Sequence, residues 1–197
     1  MLQEQIKQIR KELQVSLKPE RYEHTLSVSF TCMNLAMRYG ASLEKAELAG
    51  LLHDCAKRYS EKELIIKCNE HNIPVSKEEY AAPAVLHAKY GAWLAEHHFG
   101  ITDQEILDAI ACHTTGKPHM GLLDKILYIA DYIEPRRDKA PNLTEIRALA
   151  YKNLDEGLLV VMGATLQYLR QRGASIDSAS LEAYHYYQTV KTCERGV

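Results

Sequence analysis

Residues 49–60 read AGLLHDCAKRYS. Leu51, Leu52 and Ala56 give the stretch the look of a helix heading inward, yet His53 and Asp54 stand side by side within it. A buried carboxylate is costly unless it is paired or coordinates a metal. The pair therefore belongs either on a solvated face or beside something positive. Neighbours on a helix lie about 100° apart, so both side chains can lean toward one point beside the axis. Lys57, at the fourth position after His53, stacks a turn further along the same face.

Helix punctuation recurs on both sides of this stretch. Pro19 opens a helix that Gly40 closes, and Ser42 caps the next one, which carries the His-Asp pair. Ser60 with Glu63, Ser76 with Glu79, Thr102 with Glu105 and Asn142 with Glu145 have capping-box or closely related spacing. Gly100, Gly116 and Gly173 sit where helices should stop. Apolar residues recur at three and four, as in Ile106, Ala109, Ile110 and in Leu122, Ile126, Ile129, Ile133. No run of period two, hairpin dipeptide or internal repeat interrupts this pattern. The segment EPRRDKAPN, 134–142, reads as an irregular loop too short to separate domains. The expectation is all-α: one domain over 1–197, a bundle of about eight or more helices.

Composition narrows the class. The 197 residues are 46% apolar and 25% charged, as in a soluble globular protein. A net charge of −2 offers no electrostatic footprint for a nucleic acid polymer. Cys32, Cys55, Cys68, Cys112 and Cys193 are scattered and form no CxxC, which favours a reducing compartment over a disulfide framework. MLQEQIKQIRKELQ is too polar for a signal peptide, and no apolar run reaches the length of a membrane span. A cytoplasmic address without membrane partners is expected.

Among the 9 histidines, position matters more than count. His24 lies in the helix opened by Pro19, with Arg21 a turn before it. His87 sits in AVLHAKYGAWLAEHH, and His113 ends DQEILDAIACHTTG. Asp131 lies deep in the apolar helix LLDKILYIADYIEP. A lone histidine on an apolar face is more often a core residue than a ligand, and His71, His97, His98, His119 and His185 are left as such or on the surface. The set is stronger than its members, because metal sites in helical proteins are built from side chains projecting inward off facing helices.

At these residues the chain resembles a family. His24, then His53-Asp54, then Asp131 has the order and helical setting of the HD superfamily of metal-dependent phosphohydrolases. LHDCAK, WLAEHHFGI, AIACHTTGKP, LDKILYIADYIEP and EIRALA together look like the YqeK-type members, which are symmetrical bis(5′-nucleosyl)-tetraphosphatases. The resemblance implies a single HD-domain helical bundle. It implies a divalent metal, iron first, on His24, His53, Asp54 and Asp131. Nitrogen and carboxylate donors without sulfur suit iron, manganese, magnesium or zinc alike.

The resemblance further implies that His87 and His113 either contact the phosphates of the nucleotide or hold a second metal. Phosphate contact is the reading preferred here, since a polyphosphate needs donors beyond the ion, and protonated imidazoles can assist a leaving diphosphate. Arg21, Lys57 and Arg137 are placed to hold phosphate, with the hydroxyls and backbone of Thr114 and Thr115 beside them. The family has one arginine after EP; here Arg136 and Arg137 are both present, and the role is carried to Arg137. Ala88 stands where the family often has Gly, and His185 where it tends to have Asn. The segment GASIDSAS, 173–180, is a further candidate to approach the nucleotide.

The expected reaction has a metal-bound hydroxide attacking a central phosphorus of a dinucleoside tetraphosphate in line. Diadenosine tetraphosphate would give two ADP, with Asp54, Lys57, His87 and His113 in catalytic roles. Two alternatives stay open: an HD phosphohydrolase for nucleoside mono- or triphosphates, and a di-iron oxygen-binding helical protein. A homodimer is compatible with the apolar helix faces.

Overall fold

The computed structural model describes residues 2–195, with side chains through Val190; Cys193 lies outside the described side chains. The α-helices run α1 Leu2–Ser16, α2 Pro19–Tyr39, α3 Leu43–Leu52, α4 Glu61–Glu70, α5 Lys77–Ala81, α6 Leu86–His97, α7 Gln104–Cys112, α8 Leu122–Ile133, α9 Leu143–Lys152, α10 Leu154–Gln171 and α11 Ser178–Arg195. Short 3-10 turns stand at Cys55–Arg58 and Pro83–Val85. No strand occurs among the described residues, so the all-α expectation holds.

Local signals account for most boundaries. Pro19 occupies the first turn of α2, where its missing N–H costs nothing, and Gly40 ends that helix at φ 75°. Ser60 and Ser76 each accept from the amide three residues on while Glu63 and Glu79 bond back, so both capping boxes form. Two expected caps are corrected. The α7 cap is Asp103 rather than Thr102, its carboxylate taking the Glu105 amide at 3.0 Å. Asn142 does precede α9, but at φ 56° and ψ 30° its side chain makes no cap bond. Gly100, Gly116 and Gly173 adopt φ of 71°, 70° and 62°, ending α6, the turn after α7, and α10.

The opening stretch is also corrected. It is not one helix: α3 ends at Leu52, His53 is its cap, and Asp54 at φ −108° and ψ 15° leads into the 3-10 turn. The pair thus stands at the end of a helix rather than in its middle.

Helix α8 forms the centre of the bundle, packing on α2, α3, α7 and α10. Leu123, Ile126, Leu127, Ile129 and Ala130 are buried around its circumference. Each fully buried Leu or Ile contributes about 2 kcal/mol of hydrophobic stabilisation. Helices α2 and α3 make the most extensive pairing in the chain. They approach so closely that Gly50 has the backbone of Ser29 against it. This pairing sets the spacing between the elements bearing His24 and His53. Among the described residues no helix is long and apolar enough to cross a membrane. Cys32, Cys55, Cys68 and Cys112 are buried free thiols.

Candidate metal centre

Five elements deliver six side chains to one place. His24 comes from α2, His53 and Asp54 from the end of α3, His87 from the first turn of α6, His113 from the end of α7 and Asp131 from α8. Asp54 is the hub. Its Oδ1 lies 3.1 Å from His87 Nε2 and 3.8 Å from His113 Nε2. Its Oδ2 lies 3.4 Å from His53 Nε2, 3.8 Å from His24 Nε2 and 2.8 Å from Arg21 Nη1. Asp131 Oδ1 stands 3.0 Å from His24 Nε2.

Each histidine is turned the same way. The Nδ1–H of His53 donates to Gly50 O at 2.7 Å, and that of His113 to Ile110 O at 2.7 Å. His87 Nδ1–H donates to Ala84 O, and His24 Nδ1–H to Glu134 Oε1 at 3.1 Å. Carbonyls and carboxylates only accept, so these bonds put the proton on Nδ1 and leave the Nε2 lone pair facing inward.

The inward atoms are poorly served by protein alone. His24 Nε2 and His53 Nε2 are buried without a hydrogen-bond partner. The His24–Asp131 contact is short but misaligned for a hydrogen bond, which is the geometry of two groups aimed at a third. His87 Nε2 lies 3.1 Å from His113 Nε2, with Asp54 Oδ1 beside both. Burial drives the His87 pKa down to about 4, so its ring is neutral near pH 7. Converging acceptors of this kind need a shared positive charge. Two overlapping groups have mutually close donor atoms, His24/His53/Asp131 and His53/Asp54/His113. Nitrogen and oxygen donors with no sulfur fit a borderline or hard divalent cation.

The surrounding charges agree. Burial alone would raise the Asp54 carboxyl, but His53, His113 and His87 hold it well below the ordinary carboxylate range. Asp131 is likewise lowered against its burial, through His24, His53 and Arg137. Burial pulls the His24 imidazole down, yet Asp131, Asp54 and Glu134 raise it overall. Arg137 reaches Asp131 from outside, Nη2 to Oδ1 at 3.0 Å and Nε to the carbonyl at 3.1 Å. The Lys57 side chain reaches the surface, but the protein packed around its ammonium lowers the pKa by desolvation, opposed by the nearby Asp54 charge and aided by Arg21.

A cleft of about 550 Å³ opens from the Asp131 side of the centre. His113, Thr114, Asp131 and Arg137 line its inner end, and Tyr132 and Tyr168 line it further out. Thr115 turns its hydroxyl to Gly116 O at 3.0 Å and does not line this cleft. Residues 173–180 do not line it either, and His185 is exposed on α11.

Sequence reasoning missed Glu134 and the two tyrosines. Glu134 is buried and holds the outer nitrogen of His24 from 110 positions away. The one available signal was its place directly after the Asp131 helix, in the quoted ADYIEP. Outer partners of this kind orient the ligand and raise its basicity. Glu134→Gln is expected to weaken divalent-cation binding by roughly 10–100-fold with the helical spectrum unchanged. Calorimetric titration of the metal-stripped protein checks this; equal affinities would remove Glu134 from the centre.

Comparison with known proteins supplies an independent view. The model of the HD domain family matches residues 21–136. A symmetrical bis(5′-nucleosyl)-tetraphosphatase of Bacillus subtilis is 36% identical over 170 residues, which is 86% of this chain and 90% of that protein. A protein of the same description from Staphylococcus aureus is 33% identical over 186 residues, 93% of each chain. A crystal structure from Clostridium acetobutylicum, described as a predicted HD superfamily hydrolase involved in NAD metabolism, aligns with TM-score 0.90. It is 37% identical and covers 93% of this chain and 96% of that one.

Proposed function

This chain belongs to the HD-domain family, and from that membership we propose that it is a metal-dependent symmetrical bis(5′-nucleosyl)-tetraphosphatase. The observation that carries the reading is the inward convergence of four Nε2 atoms on Asp54 and Asp131, with every Nδ1 tied off outward. In this reading His24, His53, Asp54 and Asp131 hold the cation, and iron is the ion we assign. A divalent cation bound there supplies charge neutralisation and a more acidic water.

The chain's own residues do the rest. Arg21 and Lys57 flank Asp54, Arg137 flanks Asp131, and the three form a cationic rim for a polyphosphate. Arg forks onto phosphate oxygens, whereas Lys acts as a point charge. His87 and His113 face phosphate on the far side of Asp54. That contact requires the inward Nε2 to take up a proton as the phosphate binds, since the outer Nδ1–H is already donated to Ala84 O and Ile110 O. The cleft accepts one nucleoside diphosphate half, with Thr114 near its phosphates and Tyr132 and Tyr168 offering ring faces to a base. Water adds to a central phosphorus, the bridging P–O bond to the other half breaks, and two nucleoside diphosphates leave. Four free thiols accord with a reducing cytoplasmic setting.

The test is anaerobic purification with metal analysis, then diadenosine tetraphosphate and chromatography of the products. ADP alone is expected, with chelation abolishing its formation and metal restoring it. ATP with AMP, or turnover only of mono- or triphosphates, overturns the substrate. One specific observation favours a second arrangement: the His53/Asp54/His113 group could hold a second ion. One equivalent of metal per chain supports phosphate contact by His87 and His113, and two equivalents support the alternative.

A further inference from the structure

Arg147 of α9 touches none of the six centre residues and does not itself line the cleft, yet its hydrogen bonds go to the backbone of the segment that carries Glu134 and the cleft residue Arg137. Its Nε–H donates to Ile133 O at 2.8 Å. Its Nη2 donates to Glu134 O at 2.8 Å and to Arg137 O at 2.9 Å. The last carbonyls of a helix lack intrahelical partners and carry partial negative charge, so a cation there is well placed. The positions it fixes matter more than the bonds themselves. Glu134 holds the outer nitrogen of His24, and Arg137 holds Asp131. A single guanidinium therefore sets the backbone from which two centre residues are oriented.

We propose that Arg147 is a positioning residue for the centre, fixing the α8–α9 connection so that Glu134 aims His24 and Arg137 aims at phosphate. The inference rests on the proposed function for its phosphate arm; its metal arm stands on the centre's geometry. The fork is essential, because a lysine offers one point and cannot bridge carbonyls of residues 133, 134 and 137 together.

The experiment compares Arg147→Lys and Arg147→Ala with the wild type. Both variants are expected to raise KM for diadenosine tetraphosphate about tenfold and to weaken Mn2+ binding to the metal-stripped protein about tenfold. In both, kcat changes less than KM and the helical circular dichroism is retained. A merely structural role lowers the melting temperature but leaves KM and Mn2+ affinity at wild-type values, and that result overturns the proposal. Should Arg147→Ala fail to fold, Arg147→Lys decides alone, since it keeps the charge and loses the fork. If the wild type forms no ADP, the proposed function fails, while the Mn2+ titration still decides the assignment of Arg147.

Discussion

Asp54→Asn is expected to abolish diphosphate formation, by on the order of 10³-fold or more, while the helical spectrum stays that of the wild type. Replacing outer partners of a metal ligand typically costs about 10–100-fold, and Asp54 is more than an outer partner. One of its oxygens faces His87 and His113, and the other faces His24, His53 and Arg21. The amide keeps the volume but loses the charge that four imidazoles and a guanidinium surround. It also presents an NH2 toward at least one inward Nε2, filling the place of the cation. Metal content should fall below one equivalent together with activity. Asp54→Ala is expected to match it. Turnover by Asp54→Asn within tenfold of the wild type would sink the assignment of the centre.

Gly50→Ala is expected to cost about 3 kcal/mol of stability, at the upper end of ordinary overpacking. The added carbon would stand 2.5 Å from Ser29 Cα, 3.0 Å from Ser29 N and 3.2 Å from Ser29 Cβ. The nearest atoms are backbone, so no rotamer change relieves the clash and α2 must move off α3. For a chain of this size the loss corresponds to a fall of roughly 10 °C in melting temperature. Ser29→Gly is expected to give little rescue, since it removes only the most distant of the three contacts. Activity should fall further than stability, because α2 carries His24 and Gly50 O anchors His53. Thermal melts of the single and double variants check this; an unchanged melting temperature would show that the two helices tolerate separation.

Much of this arrangement is legible in the residues, and the parts that are not share a physical cause. Helix signals local to a few residues, such as Pro19, Gly40 and the Ser60 and Ser76 boxes, appear where expected. Where two local candidates compete, the pattern does not choose: Thr102 and Asp103 are adjacent, and the carboxylate wins. The end of α3 was hidden because Cys55 and Ala56 stay apolar and buried after the chain leaves helical geometry. His24, His53, Asp54 and Asp131 draw attention as ionisable residues in helical stretches, and it is the resemblance to the HD superfamily that joins them into one expected ligand set. Glu134 does not draw attention, since it follows its helix in a loop reading as polar, and its partner is remote. Arg147 is less visible still: its partners are backbone carbonyls, which every residue possesses.

Three of the four histidines that face the centre take their outer bond from the carbonyl three residues earlier in their own segment: Gly50, Ala84 and Ile110. Orientation of those rings is thus settled by local chain geometry. A zinc finger, by contrast, needs its ion in order to fold at all. Here the polypeptide is accordingly expected to fold before the ion arrives, so that a chelator should leave the helical circular dichroism at its starting value. Loading and stripping are then expected to be reversible on a folded protein, and metal titration followed by chelation checks this.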